Sequence, residues 1–557
     1  MKKYILYIIL ATFTGVFANS CTKDFETINV NPSVVTDVDV KFLFTSSLEN
    51  LQGYRLGEWI WEDLEQLLRY SQLLTAESYE ITGSVNGRYN AFYLNILPNL
   101  AEIRRVIENK SDKDKFQKIA AATYIVQVFQ GLKVTDMNGS IPYTEATKGR
   151  TEGKYNPVYD TQKVLYDTWI KELNASIQTL QKSLSDQESF GNNDVYFKGD
   201  WTKWIKLANS LKLRIAARYQ NPDQAAAKQI FKEVMTDATG PFSSTADQMT
   251  YSNTNYWPFG ITEIDYRSKR FAMETVVDFM KSAGDPRLSI YFDKNSLVGS
   301  FRDSLTKYNK TLPTWCNLSD PNIMYQGGPA NWQANAAKSA YFSNLFVVGG
   351  ANKYSLISTI NRKFFSPRAD GGTGKFVDVL VSYSEVCLYI SEFIQKGYGA
   401  GFDTKGTASD WYNKGVTASI KTMNDIATVA VSGALTGVDA LTTSYLANPN
   451  VQLNGTNNLE KIYIQQLLNF YRQGNEAFTL VRRTGYPKYN STLLARQTVA
   501  ETIPRRYWLL DPGEVNRANW TSAMTEQGFT PNDRSLPKLN SERIWFDKTS
   551  PNFGEGN

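Results

Sequence analysis

The chain has no histidine in 557 residues and only three cysteines. Without imidazole, neither a Ser-His-Asp nor a Cys-His catalytic centre can be assembled, and the commonest zinc ligand is missing too. If Cys21 is modified, Cys316 and Cys387 are the thiols that remain, too few for a thiolate zinc site. They either form one disulfide or stay as two buried free thiols. No metal site and no cofactor is expected. The sixty basic and fifty-five acidic side chains form no run of five like charges, so the electrostatic footprint of a nucleic-acid-binding protein is missing. Long apolar runs are missing as well. The one candidate, Tyr4 to Phe17, is interrupted by Thr12, Thr14 and Gly15, whereas a membrane-spanning helix needs about 20 apolar residues.

That apolar stretch comes after a basic start and precedes small or polar residues and Cys21, the three-part layout of a secretory signal over residues 1–20. Cleavage just before a cysteine is the pattern of bacterial lipoprotein processing, in which the new N-terminal thiol is acylated. Ala18 and Asn19 stand where such a signal usually has Leu and a small residue, and an ordinary signal with a coincidental cysteine is the competing reading. Acyl chains on Cys21, at about 0.8 kcal/mol per buried methylene, would hold the protein at a membrane surface. Residues 21–40, rich in Thr, Asn and Asp, read as a flexible leader of short reach.

Amphipathic helical periodicity dominates the chain beyond this leader, at residues 41–78, 89–109, 114–134, 160–183, 200–219, 223–237 and 268–283. In 160–183 the buried stripe is Leu165, Trp169, Leu173, Ile177 and Leu180; in 200–219 it is Trp201, Trp204, Leu207, Leu211 and Ile215. Lys203, Lys206, Lys212, Arg214 and Arg218 fall towards the other faces, where they would close salt links or terminal carbonyls. Asp160 and Asp200 stand at N-cap positions. From 241 to 375 Gly, Pro, Asn, Ser and aromatics alternate quickly, which predicts long loops with short strands, and loops of that length are usually functional. Helical patterns return at 376–397, 408–427 and 459–482, with a second loop-rich interval at 428–458.

Several stretches, in order along almost the whole chain, are similar to one known family. They are CTKDFETINVNPS from Cys21, VTDMNGSIPYTEA from Val134, YDTQKVLYDTWIKELNAS from Tyr159, GDWTKWIKLANSLKLRIAARY from Gly199, AGDPRLSIYF from Ala283, EVCLYISEFIQKGY from Glu385, RRTGYPKY from Arg482 and IPRRYWLLDPGEVNRANW from Ile503. Together they resemble the SusD-like (SusD/RagB-type) outer-membrane nutrient-binding lipoproteins, in the second SusD-like branch. The clearest departure is Tyr507 to Leu510, where the family often has a Tyr-Pro pair before its Glu. The resemblance implies a mainly α fold of tetratricopeptide-like helix pairs with a loop-rich irregular region and short strands. It implies one SusD-like domain over 41–557, with a helical scaffold at 41–240 and 376–482 and the ligand region at 241–375. It further implies an outer-membrane location facing the cell exterior, and a SusC-like TonB-dependent barrel over which the lipoprotein acts as a lid.

A neutral sugar or a peptide is held by aromatic platforms with amide or guanidinium donors beside them. Two stretches have that mix: Tyr79, Asn86, Arg88 and Tyr89, and Asn255, Tyr256, Trp257 and Tyr266 with Trp332. Most of the 32 Tyr and 12 Trp serve the core, so any one of these aromatics has a packing role as its plainer explanation. Arg482, Arg483, Arg505 and Arg506 read as structural clamps on carboxylates. Acid pairs such as Asp136 with Glu145, or Glu263 with Asp265, are what a surface glycoside hydrolase would need, but so many acids guarantee neighbours by chance. Nutrient capture is therefore the leading expectation, a non-binding lid or assembly subunit the second, and a hydrolase the third. Replacing Cys21 with Ala should move the protein from the membrane pellet to the soluble fraction after fractionation; continued membrane attachment would contradict lipid anchoring at Cys21.

Overall fold

The computed structural model describes residues 39–52, 58–76, 82–83, 86–253, 270–298, 300–309, 311–330, 338, 346–348, 352–365 and 375–556. The signal segment and Cys21 lie outside the described residues. The first half is helical: α1 (Val40–Glu49), α2 (Glu58–Leu67, π-helical, running on into Leu68–Tyr70), strand β1 (Leu74–Ala76), α3 (Leu97–Glu108, entered through Gly87–Asn90 and a π-helical Ala91–Ile96), α4 (Gln117–Asn138), α5 (Gln162–Gln181), α6 (Trp201–Tyr219) and α7 (Gln224–Thr236). Then come β2 (Met249–Asn253), β3 (Arg270–Ala272), α8 (Glu274–Ala283), β4 (Phe346–Val348), β5 (Asn352–Tyr354) and β6 (Phe376–Val381). The helical remainder is α9 (Tyr383–Gln395), α10 (Ala408–Ala430), α11 (Val438–Leu446), α12 (Asn458–Asn469), α13 (Gly474–Thr484) and α14 (Arg517–Glu526). The fold is thus mainly α, as expected, and no described helix is long and apolar enough to cross a membrane.

Local chemistry sets the helix starts. The Asp200 carboxylate accepts from the amides of Thr202 and Lys203 at the head of α6. Ser382 with Glu385 and Thr407 with Asp410 form reciprocal capping boxes on α9 and α10. For α5 the cap is Thr161 rather than the expected Asp160. Asp160 turns instead to the preceding segment, accepting from the amides of Tyr143 at 3.0 Å and Thr144 at 2.8 Å. Two glycines allow neighbouring helices to approach closely. A Cβ on Gly131 of α4 would lie 2.7 Å from the Trp169 ring of α5, and one on Gly415 of α10 would lie 2.8 Å from Leu388 of α9.

Several expected boundaries shift for identifiable reasons. The 41–78 pattern is interrupted after Glu49 and resumes at Glu58. The pattern from 268 begins with β3, and the one from 376 begins with β6, whose FVDVLV is β-branched and alternating. The 459–482 pattern breaks at Phe470–Arg472 into α12 and α13, and the loop expected at 428–458 contains α11. Cys316 and Cys387 are both buried and unbridged.

One apolar cluster runs from Val40 to Phe546, with Trp169 and Trp204 wholly enclosed. Charge is buried within it. Arg214 and Arg218 of α6, expected towards its polar faces, are 2% and 1% exposed. α6 is covered by α5 and α7 and also by α4 and α9, so it has no wet face at these positions, and the neighbouring elements supply carboxylates in place of water. Arg214 Nε and Nη2 donate to Glu385 at 2.5 and 2.9 Å. Arg218 Nη2 donates to Asp136 at 2.8 Å and to Glu476 at 2.7 Å. Arg483 grips Glu392, and Arg505 grips Asp547, each through two nitrogens. Arg506 pairs with Glu542. Arg482 differs from the other three clamps, giving its Nη1 to the carbonyls of Asp136 and Arg505. Removing one member strands the others without water, at a cost of about 3–5 kcal/mol for a buried pair. Arg218→Met should therefore lower stability by about that amount in urea denaturation, whereas exposed Lys421→Met, which ends a surface pair with Asp425, should change it by less than about 1 kcal/mol.

Candidate functional site

Two of the three short ribbons, β1–β3 and β2–β6, adjoin the aromatic-bearing stretches of sequence. β1 pairs antiparallel with β3 so that Ala76 faces Arg270. The chain leaves Ala76 into the segment that carries Tyr79, and reaches Arg270 from the segment that carries Asn255, Tyr256, Trp257 and Tyr266. Thr75 Oγ1 donates to the Pro329 carbonyl at 2.8 Å and Gly328 bridges Met273, so the stretch leading to Trp332 starts beside the same ribbon. β2 pairs with β6 so that Asn253 faces Phe376. Asn253 and Arg270, the described residues on either side of 254–269, thus stand opposite β6 and β1 respectively. Tyr79, Asn255, Tyr256, Trp257, Tyr266 and Trp332 themselves lie outside the described residues, as do Glu263 and Asp265.

Asn86, Arg88 and Tyr89 are described, and they have different surroundings. Arg88 is fully enclosed: its guanidinium meets Glu62, Asp63 at 3.2 Å and Glu58 at 3.7 Å, and donates to Asn475 Oδ1 at 2.6 Å. The Gly87 amide donates to the other oxygen of Glu62. Arg88 thus ties the turn after the Tyr79 segment to α2 and α13 from inside. Asn86 is half-buried and accepts from Asn138 Nδ2 at 3.4 Å. Tyr89 is half-buried and packs on Tyr93 with ring centroids 4.5 Å apart. Tyr93 in turn lines a groove of about 720 Å³ between α3 and residues 147–151, with Asn99, Glu102, Arg105, Lys148 and Arg150 on its walls. The Asp136 and Glu145 pair does not form: Asp136 is enclosed with Arg218, and Glu145 meets Lys154 at 2.8 Å.

Against β6 lies a cavity of about 50 Å³ lined by α2, α4, α6, β6 and α13. Its wall carries the carboxylates of Glu58, Asp63, Asp378 and Glu476 and the cations Lys133, Arg214 and Arg472. Trp59 closes one side, its Nε1 donating to the Phe365 carbonyl at 3.0 Å, with the Arg472 guanidinium 5.1 Å from its ring. Burial works against ionising every acid here, and the neighbours decide the outcome. Lys133, 2.6 Å from Glu58, and Arg88 outweigh burial and hold that carboxyl below the usual range. Arg218 and Arg214 do the same for Glu476, taking it to about 2. At Asp63 and Asp378 burial prevails over Arg88 and over Arg472 respectively, pushing them up to about 7 and about 6. Sequence reasoning passed over these acids. Their signal was present: Glu58, Glu62 and Asp63 in EWIWEDLEQL and Asp378 in FVDVLV are acids set into apolar runs. Among the described residues no group of three or more His, Cys, Asp or Glu side chains could hold a metal ion.

Packed helices with short two-stranded ribbons define the class, and comparison with known proteins gives the family. Residues 32–508 match the SusD-like_2 family model, described as starch-binding and associating with the outer membrane; the chain belongs to this family. Among solved structures, a chitin-binding protein aligns over 91% of this chain and 100% of its own at 22% identity, TM-score 0.67. A SusD homolog from Bacteroides fragilis aligns over 92% and 100% at 22% identity, TM-score 0.67. A chitin-binding SusD homolog from Flavobacterium johnsoniae aligns over 92% and 100% at 19% identity, TM-score 0.63. At these identities the likeness establishes the fold. No curated protein sequence matches the chain.

The raised Asp63 has a definite sign in stability. Between pH ~4 and ~7 the folded chain keeps a proton that the unfolded chain has released, so stability falls as pH rises through that window. Asp63→Asn should melt about 2–4 °C above the natural protein at pH 8 and within a degree of it at pH 4, read by differential scanning calorimetry.

Proposed function

We propose that the protein is a lipoprotein of the outer membrane, anchored through Cys21 and facing the exterior, that captures an oligosaccharide and delivers it to a SusC-like TonB-dependent barrel. The observation that carries this reading is that the described residues flanking the three aromatic-bearing stretches of sequence, at Ala76, Arg270 and Pro329, share neighbouring backbone anchors. Such an arrangement suits a site made of stacking platforms on a rigid frame. The family's starch-binding description and the two chitin-binding structural neighbours support a glycan in preference to a peptide. Tyr79, Tyr256, Trp257, Tyr266 and Trp332 supply the platforms in this reading, and Asn255 supplies an amide. Tyr89, its ring tilted against Tyr93 of the groove wall, adds to the aromatic surface in this reading. Arg88 contributes by holding the frame. Residues 41–557 act as one unit, and the role is binding rather than catalysis, since Glu58, Glu62, Asp136 and Glu392 in the interior are engaged by arginines and lysines.

Calorimetric titration with malto- and chito-oligosaccharides tests this. One of the two series should bind, and Trp257→Ala or Trp332→Ala should weaken it about three- to tenfold, as loss of one aromatic stacking contact does. Absence of binding to any glycan or peptide, both alone and with the co-purified barrel, would overturn nutrient capture and leave the lid role.

A further inference from the structure

The cavity against β6 has acceptors to spare and few donors to meet them. Each cation on its wall is already committed. Lys133 is held by Glu58 at 2.6 Å. Arg214 is forked onto Glu385 and donates to the Leu380 carbonyl at 2.6 Å. Arg472 donates to the carbonyls of Phe364 at 2.5 Å and Val377 at 2.8 Å. Asn475 donates its Nδ2 to Asp136, and its Oδ1 accepts from Arg88. The acceptors are less well served. Asp63 receives one bond, from Arg88 at 3.2 Å, the Asp378 carboxylate meets the adjacent Val379 amide, and the buried Oε1 of Gln473 has no partner. Four carboxylates face three cations across this wall. Burial also keeps Asp63 and Asp378 from ionising readily, the mark of carboxylates that lack compensating charge.

We infer that this cavity receives a protonated primary amine, the ammonium group entering past Asp378 to donate to Asp63, Asp378 and Gln473. An ammonium is three donors and no acceptor on a compact centre, which complements such a wall. The volume sets the size. About 50 Å³ accommodates a methylammonium-sized tip and excludes a sugar ring. Access is from the half-buried side of Asp378 and Lys133, and β6 with β2 ends there beside the start of residues 254–269. The inference rests on the nutrient-binding reading and narrows it: the captured molecule carries a free amine, from an incompletely acylated amino sugar or from a peptide.

Calorimetric titration of the purified full chain at pH 7 tests this with methylammonium chloride, a glucosamine tetramer and trilysine, each organic oligomer beside its N-acetylated form. Methylammonium should bind, and one free-amine oligomer should bind at least about tenfold more tightly than its acetylated form, as one charge-assisted contact gives. The sugar and peptide arms identify the source. Asp378→Asn should abolish the preference while leaving the acetylated ligand's affinity in place; Asp63→Asn serves as the second variant. Equal binding of free and acetylated forms, with no methylammonium binding, would overturn the inference and leave nutrient capture standing. Failure of every oligomer with methylammonium still bound would strike the nutrient reading alone.

Discussion

The buried guanidinium–carboxylate pairs govern the rest of this molecule. Arg214 and Arg218 on α6 meet Glu385 on α9, Glu476 on α13 and Asp136 on α4, so four helices are joined through charges that no water reaches. Apolar packing alone tolerates sliding, because one leucine serves nearly as well as the next. A buried ion pair does not, since moving one helix by a turn strands a charge at a cost of several kcal/mol. The network thereby selects one register for the scaffold. Arg483 with Glu392 and Arg505 with Asp547 extend the same constraint to α12 and the C-terminal segment.

The small cavity lies where that network is left unfinished. Glu476 faces both the network and the cavity wall, and its two arginines keep it ionised, while Asp63 and Asp378 on the other sides lack equivalent partners. The same low-polarity surroundings that make a matched pair rigid make an unmatched acid responsive to whatever donor arrives. Structural and binding chemistry here differ only in whether the partner belongs to the chain.

Much of the scaffold was legible in the sequence because helical periodicity reports burial directly. The stripes of α5 and α6 were readable apart from Trp201, which is only half-buried at the head of α6, as was the Asp200 cap. What periodicity hides is the second layer. Arg214 and Arg218 look like solvated side chains until α4, α9 and α13, some of them more than 160 residues away, are placed against them. β6 was lost inside a helical pattern because six apolar-rich residues next to a capped helix carry too little period to separate the two. For the site, the choice of stretches was open to sequence reasoning, since composition marks them. That Arg88 turns inward while Tyr89 packs towards the groove is due to the carboxylates waiting on α2, which local sequence does not announce.

The ribbons β1–β3 and β2–β6 hold their partners through backbone amides and carbonyls, and such bonds are indifferent to side chains. Whatever is strung between Ala76, Asn253, Arg270 and Phe376 can lengthen, shorten or change its chemistry while its ends stay pinned, and each doubling of a loop costs only about 0.6 kcal/mol in closure. Such a frame can be given new loops without refolding the protein that carries them.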